Sequence, residues 1–316
     1  MENGVINTAV EPAVNGISTC LYDGYPNLYM QFNKPVEWVN DGHWYKGIEY
    51  YKDKDRGIPY KEDLWVPGYF QLPIRKGESV IFSASTTEAD PADFSAVYAR
   101  ELEGRTCRTS FYNCLKNSAK QFYLKNRNGL YIMAGYPWYN VRARDELIAL
   151  PGCTLAIDHR EDYEAIMETF LKALGKFLDE GIKDKTIGEI DLPDIPRWTI
   201  WAIQQYRRSE DSNACRERYG RTVKYLVDTI RRGKVPNLYF NSNGLLSTNG
   251  EHSPVSWLSA SINGKPIIPR TGYILEFNAL WYNAVRFLIS LYEHESSEHE
   301  YVACLLYTSD AADDSL

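Results

Sequence analysis

Two hydrophobic periods divide the chain. Residues 16 to about 90 carry a period of two. In Leu28-Tyr-Met-Gln-Phe32 the most apolar residues fall at every second position, as on a half-buried strand. Trp44 to Tyr51 is an aromatic-rich strand candidate, and Ser79-Val-Ile-Phe-Ser83 follows a Lys76-Gly77 turn. Pro59, Pro67, Gly68 and Pro73 punctuate this region. From about residue 108 the period becomes 3.6. Leu115, Ala119 and Phe122 define a first helix face, and Tyr163, Ile166, Met167, Phe170, Leu174 and Phe177 a second, stopped by Gly181. Trp198, Trp201, Ala202 and Gln205 mark a third, with Pro196 in its first turn. Tyr219, Val223, Leu226, Val227 and Ile230 mark a fourth, closed by Gly233. Phe277, Leu280, Trp281, Ala284, Phe287, Leu288 and Leu291 mark a long last one. Glu146 to Ile157 is expected to be helical with a kink at Pro151.

Strands first and helices afterwards predict an α+β chain of two domains. The expected division is a β domain over 1–90, a linker over 91–107 and a helical domain over 108–303. Two long connections stand out. Residues 233–272 hold three Asn-Gly turn signals at Asn243, Asn249 and Asn263, with Tyr239, Phe240, Trp257, Ile267 and Ile268 between them. Asn126 to Asp145 holds Tyr131, Tyr136, Trp138 and Tyr139. Long apolar loops in a compact domain are usually functional, and at one end of a helical array they would form the mouth of a pocket.

Composition narrows the function. The 316 residues carry a net charge of -7, which argues against a nucleic-acid binder. No apolar run is long enough to span a bilayer, and the first residues lack a signal-peptide pattern. The six Cys and five His show no zinc spacing. No metal and no cofactor is therefore expected, and reduced thiols in a cytoplasmic protein are the default. Aromatic residues make up 14% of the chain, with 8 Trp and 24 Tyr. Residues 304–316 break from what precedes them and resemble the conceptual translation of a sequencing adapter, so they are expected to be a non-native tail.

Several ordered blocks resemble one family. Ala134-Gly-Tyr-Pro-Trp-Tyr139, Arg144-Asp145 and Ile148-Ala-Leu-Pro-Gly-Cys-Thr-Leu-Ala156 are similar to the AGYPWF…GRDT…LPGLTLA signature of glycogen debranching enzymes, in the amylo-α-1,6-glucosidase domain. Asp191-Leu-Pro-Asp-Ile-Pro-Arg-Trp198, Pro266-Ile-Ile-Pro-Arg-Thr-Gly272 and Leu275-Glu-Phe-Asn-Ala-Leu-Trp-Tyr-Asn-Ala284 resemble three further family blocks. Asp23 to Leu28 and Arg56 to Phe70 resemble the end of its N-terminal β domain. The resemblance implies the C-terminal part of a β-sandwich-like domain followed by the first half of an (α/α)6 toroid. It also implies removal of α-1,6-linked glucose from a glycogen branch point, with inversion, and glycogen or a related α-glucan as partner. The length is short for both domains of that family, so the chain is expected to be a fragment without the general base, inactive by itself, with apolar helix faces exposed.

Inverting glycoside hydrolysis needs two carboxyl groups about 6.5–9.5 Å apart, and sugar binding needs bidentate polar groups and aromatic faces. Arg144-Asp145 is either a local ion pair or, as the resemblance implies, the clamp on a terminal glucose. Tyr136, Trp138, Trp198 and Trp257 are candidate sugar platforms or core residues. At least one of Trp138 and Trp257 is expected to face the pocket, with Trp201 and Trp281 more core-like. Glu276, near Arg270, is either a pocket carboxylate or a first-turn Glu favoured by the helix dipole. Arg270 is grouped with the substrate-binding residues. The family pattern TWMDA places its proton donor where Ser256-Trp-Leu-Ser-Ala260 has Ser259, a hydroxyl that cannot replace a carboxylic acid. A non-catalytic α-glucan-binding protein is the alternative.

Overall fold

The computed structural model describes residues 4–136, 138–209 and 212–292. The expected tail, 304–316, lies outside them. The chain divides into two units, Met1–Thr106 and Cys107–Leu316.

The first unit is built from short antiparallel strands. β1 (Val10–Ala13), β2 (Gly16–Thr19) and β3 (Leu28–Phe32) lie side by side. Two separate pairs follow: β4 (Glu37–Val39) with β7 (Tyr69–Gln71), and β5 (His43–Glu49) with β6 (Lys61–Val66). A one-turn helix, α1 (Tyr51–Asp55), joins β5 to β6. β8 (Phe82–Ser85) completes the first sheet against β3. It starts three residues later than the expected Ser79–Ser83 strand, because Glu78 N–H still closes a turn on Arg75. Phe32 anchors this unit, with Phe70 and Phe82 ring centroids 4.9 and 5.1 Å away. Strict alternation would expose Gln31, yet it is buried. Its amide donates to the Val14 and Ala89 carbonyls and accepts from Ala89 N–H, so its polar atoms are satisfied without water. Residues 91–107, expected as a linker, instead carry α2 (Phe94–Glu103). Asp90 caps the preceding Pro91–Asp93 turn.

The second unit holds α3 (Phe111–Lys120), the hairpin β9 (Tyr123–Asn126) and β10 (Gly129–Ile132), then α4 (Ala143–Cys153) and α5 (Arg160–Glu180). After these come α6 (Ile195–Ser209) and α7 (Ser212–Arg231). The ribbons β11 (Tyr239–Phe240), β12 (Leu246–Thr248), β13 (Ser261–Ile262), β14 (Lys265–Pro266) and β15 (Gly272–Tyr273) lead into α8 (Leu275–Leu291). The whole is α+β: helices with several small sheets.

The 3.6 period worked where the helix is sandwiched. Every predicted inward residue of α5 and α7 is buried, and on α8 all but Leu280. Each large aliphatic or Phe side chain among them contributes roughly 1.5–3 kcal/mol by leaving water. Two tyrosine hydroxyls of this core, one on α5 and one on α6, have acceptors. Tyr163 donates to the Ala202 carbonyl at 2.7 Å and Tyr206 to Glu164 at 2.6 Å. α3 departs from the prediction. Ser110 caps it at 3.1 Å from Asn113 N–H and it stops at Lys120. Leu115 faces outward with Phe111 and Tyr112, while Asn117 is buried. The Asn126–Asp145 connection is also shorter than expected. The Asn126 carboxamide accepts from Asn128 and Gly129 N–H and turns the chain into a hairpin.

Gly181 closes α5 with φ +73° and donates to Phe177 O at 2.8 Å. A Cβ there is strained in the left-handed region. Gly181→Ala should therefore cost about 1 kcal/mol, read as a lower urea midpoint with unchanged slope; an unaltered midpoint would contradict the cap.

Candidate active-site cleft

The cleft is assembled from three connections of the second unit. The α5–α6 connection is pinned first. Gly188 N–H donates to Val141 O and Gly188 O accepts from Ala143 N–H, both at 2.9 Å, which bridges it to the strand-like residue Arg142. Glu189 follows in the left-handed region, φ +61°, and the run Glu189-Ile-Asp191-Leu-Pro-Asp194 then enters α6. The α7–β11 connection contributes Asn237, whose carboxamide donates to Asn249 O at 2.6 Å and accepts from Asn249 N–H at 2.9 Å. Gly250, next in line, sits where a Cβ would lie 2.3 Å from the Arg270 carbonyl, so the backbones meet there at a distance only glycine allows. The third connection brings Ser259. Between them lies a cavity of about 440 Å³ lined by Arg142, Glu189, Asp191, Pro193, Asn237 and Ser259 among others, within the size range of small-molecule sites.

Two ion-pair clusters accompany it in the same unit. Arg144 is buried, and its Nε and Nη2 donate to the two oxygens of Asp194 at 2.6 and 3.0 Å. Its remaining Nη1 lies 4.0 Å from Glu189. Asp145 is exposed. In the second cluster Arg270 donates through both Nη atoms to Glu276, and through Nη1 to Ser256 Oγ at 2.9 Å. Burial alone would raise the Glu276 carboxyl. Hydrogen bonds from Arg270, its own backbone N–H and the Trp257 side chain, with the charge of Arg270, outweigh this and hold it below the ordinary carboxylate value.

Arg197 spans the two clusters. It is fully buried and donates to the Pro193 and Phe277 carbonyls, each at 3.1 Å, with its guanidinium 3.8 Å from the Phe277 ring centroid. Burial pulls it down to about 9, an effect partly offset by the charges of Asp194 and Glu276.

The aromatic candidates divide. Tyr136, Trp138 and Trp257 are exposed, Trp138 by 84%. None of the three is among the residues lining the cavity. Trp198 is half-buried, packed on the core in a T-shaped contact with Trp201. Trp281 is fully buried and donates to Gly244 O at 3.1 Å.

Sequence reasoning missed Glu189, Asp191, Asp194 and Glu146. The first three were signalled by carboxylates at 189, 191 and 194 in a proline-containing loop opening a helix. Glu146 carried no signal, because its position in α4 is indistinguishable from a solvated face until β10 covers it. It is buried, its Oε1 accepts from Ile132 N–H at 2.9 Å, and its Oε2 has no partner. Burial pushes its carboxyl up to about 8, against the lowering effect of the Ile132 bond and with a further rise from Asp184. Among the described residues no group of three His, Cys, Asp or Glu could hold a metal ion, and no helix is long and apolar enough to cross a membrane.

A family model described as amylo-alpha-1,6-glucosidase matches residues 116–309, more than half of the chain. The chain belongs to the amylo-alpha-1,6-glucosidase family. A second, described as glycogen debranching enzyme N terminal, matches residues 2–81, so the order of the two is that of a glycogen debranching enzyme-type protein. No curated protein and no solved structure matches the chain. The cleft and both ion-pair clusters lie inside the amylo-alpha-1,6-glucosidase match, and β1 to β7 inside the other.

Proposed function

We propose that this protein acts in glycogen debranching, that its cleft takes the α-1,6-linked glucose of a branch point, and that the complete enzyme hydrolyses that bond with inversion. The observation that carries the reading is that Ser259, which stands where the family pattern puts its proton donor, lines the same cavity as Glu189 and Asp191. In this reading the second unit is half of an (α/α)6 toroid, the first the end of a β-sandwich-like domain, and the protein is cytoplasmic. Arg144, with Nη1 4.0 Å from Glu189, holds the acidic loop in place, and the exposed Asp145 offers acceptors to sugar hydroxyls. Trp138 and Trp257 offer ring faces to the glucan beyond the cleft.

The acid is then the missing part. Glu276 is held ionised by Arg270, which suits charge complementarity and not proton donation. Glu146 is protonated at neutral pH but sealed from solvent. Ser259 therefore favours a second reading, a glucan-binding protein without hydrolysis. This chain should bind a phosphorylase limit dextrin and release no glucose from it. In the complete protein Ser259→Asp should raise glucose release by about 10²–10⁴-fold, the usual worth of a general acid. Glucose release by the wild-type chain, or no gain from Ser259→Asp, would show that the acid lies elsewhere.

A further inference from the structure

Four carboxylates border or back the cleft, and three of them each accept at least one hydrogen bond from a basic side chain. Asp191 receives Lys183 Nζ at 2.5 Å. Asp194 receives two nitrogens of Arg144. Glu276 receives two nitrogens of Arg270. Glu189 differs. Its nearest cations, Arg142 Nε and Arg144 Nη1, stand at 3.9 and 4.0 Å, beyond hydrogen-bond reach. They orient the carboxylate by charge and leave its lone pairs open. Its side chain is 33% exposed and lines the cavity.

The backbone beneath it is costly. Glu189 has φ +61°, a conformation that a residue with a Cβ adopts only when its surroundings impose it. The Gly188 bridge to Val141 and Ala143 imposes it here, and glycine would fill the position with less strain. The side chain is thus kept where the backbone disfavours it, with unfilled acceptors turned into a cavity.

We propose that Glu189 is the hydroxyl-binding carboxylate of the cleft, accepting hydrogen bonds from two adjacent hydroxyls of a glucose unit, with Arg142 and Arg144 fixing its orientation. A carboxylate accepts two hydroxyls side by side, and such charge-assisted bonds are about twice as strong as neutral ones. The assignment rests on the glucan reading of the cleft and names the residue that recognises the sugar ring. It also places Arg144 as a positioning residue, since two of its nitrogens are committed to Asp194.

Calorimetric titration of the full chain with an α-1,6-branched maltooligosaccharide tests this, with Glu189→Gln and Glu189→Gly in parallel. Gln keeps the shape and removes the charge; Gly removes the group and relieves the backbone. Both variants should bind at least about 10-fold more weakly, the scale of a hydrogen bond to a charged group. Glu189→Gly should meanwhile melt at an unchanged or higher temperature. A residue with only a structural role would lower melting temperature and affinity together. Unchanged affinity in both variants overturns the assignment of Glu189 and leaves the glucan reading standing. No binding by the wild-type chain overturns the glucan reading, and the assignment with it.

Discussion

Glu146→Gln is expected to change how stability depends on pH more than any other single substitution in the second unit. In the unfolded chain this carboxyl releases its proton near the ordinary value of 4.5; in the folded chain, deprived of water, it holds the proton up to about 8. Between those values the folded state binds more protons than the unfolded state, so stability falls as pH rises. The contribution is complete below 4.5 and is lost by the time pH has passed 8. A span of 3.5 units corresponds to roughly 5 kcal/mol at 1.36 kcal/mol per unit. Gln has no proton to release, so the variant lacks this slope. Its amide places a donor where the protonated Oε2 of the wild type already stands without a partner, so at acid pH the substitution brings little gain or loss. The variant is therefore expected to be no more stable than the wild type at pH 4.5 and clearly more stable at pH 9. Urea titrations across that range measure the difference. Parallel curves for the two proteins would mean that Glu146 is hydrated in solution.

Glu146 also shows where legibility ended. The helices α5, α7 and α8 could be read because each lies between neighbours, which forces apolar residues onto one stripe. α3 is covered differently: Asn117 faces inward and Leu115 outward, and a period alone cannot tell which stripe is covered. The turn chemistry was readable where Asn-Gly pairs set it. Asn263 and Gly264 both have positive φ and join β13 to β14, as a two-residue hairpin requires. At Asn249-Gly250 the same pair serves a close backbone approach to Arg270 instead.

The cleft was legible in parts. Ser259 and Arg144 were singled out from blocks of sequence, and the structure sets Ser259 on the cavity and buries Arg144 in the same unit. Their companions were hidden by distance along the chain. Asp194 lies fifty residues from Arg144, and Phe277, which receives Arg197, lies eighty residues from it. Pairing across such gaps is decided by packing, which no local pattern encodes. The aromatic signal pointed to exposed side chains at Trp138 and Trp257 and to a core residue at Trp281. Residue type alone does not separate them, since an indole suits both an apolar core and a wet rim.

Removing Asp194 is the second large effect. Arg144 and Asp194 are both almost wholly buried and share two hydrogen bonds. Their attraction roughly balances the cost of taking both charges out of water, so the pair itself adds little net stability. Breaking it is different, because Asp194→Ala leaves the Arg144 guanidinium buried with only the Glu189 carboxylate 4.0 Å away. The expected loss is about 3–5 kcal/mol, seen as a lowered urea midpoint with unchanged slope. The double variant Arg144→Met, Asp194→Leu replaces both charges with apolar groups of similar reach and should recover most of that loss. Glucan affinity should not return with it, because the nitrogen that faces Glu189 is gone. Stability and binding would then separate in one protein, the first restored and the second absent. Recovery of both together would mean that Arg144 serves the fold alone, and a cost below about 1 kcal/mol for Asp194→Ala, the range of exposed pairs, would place the ion pair in water.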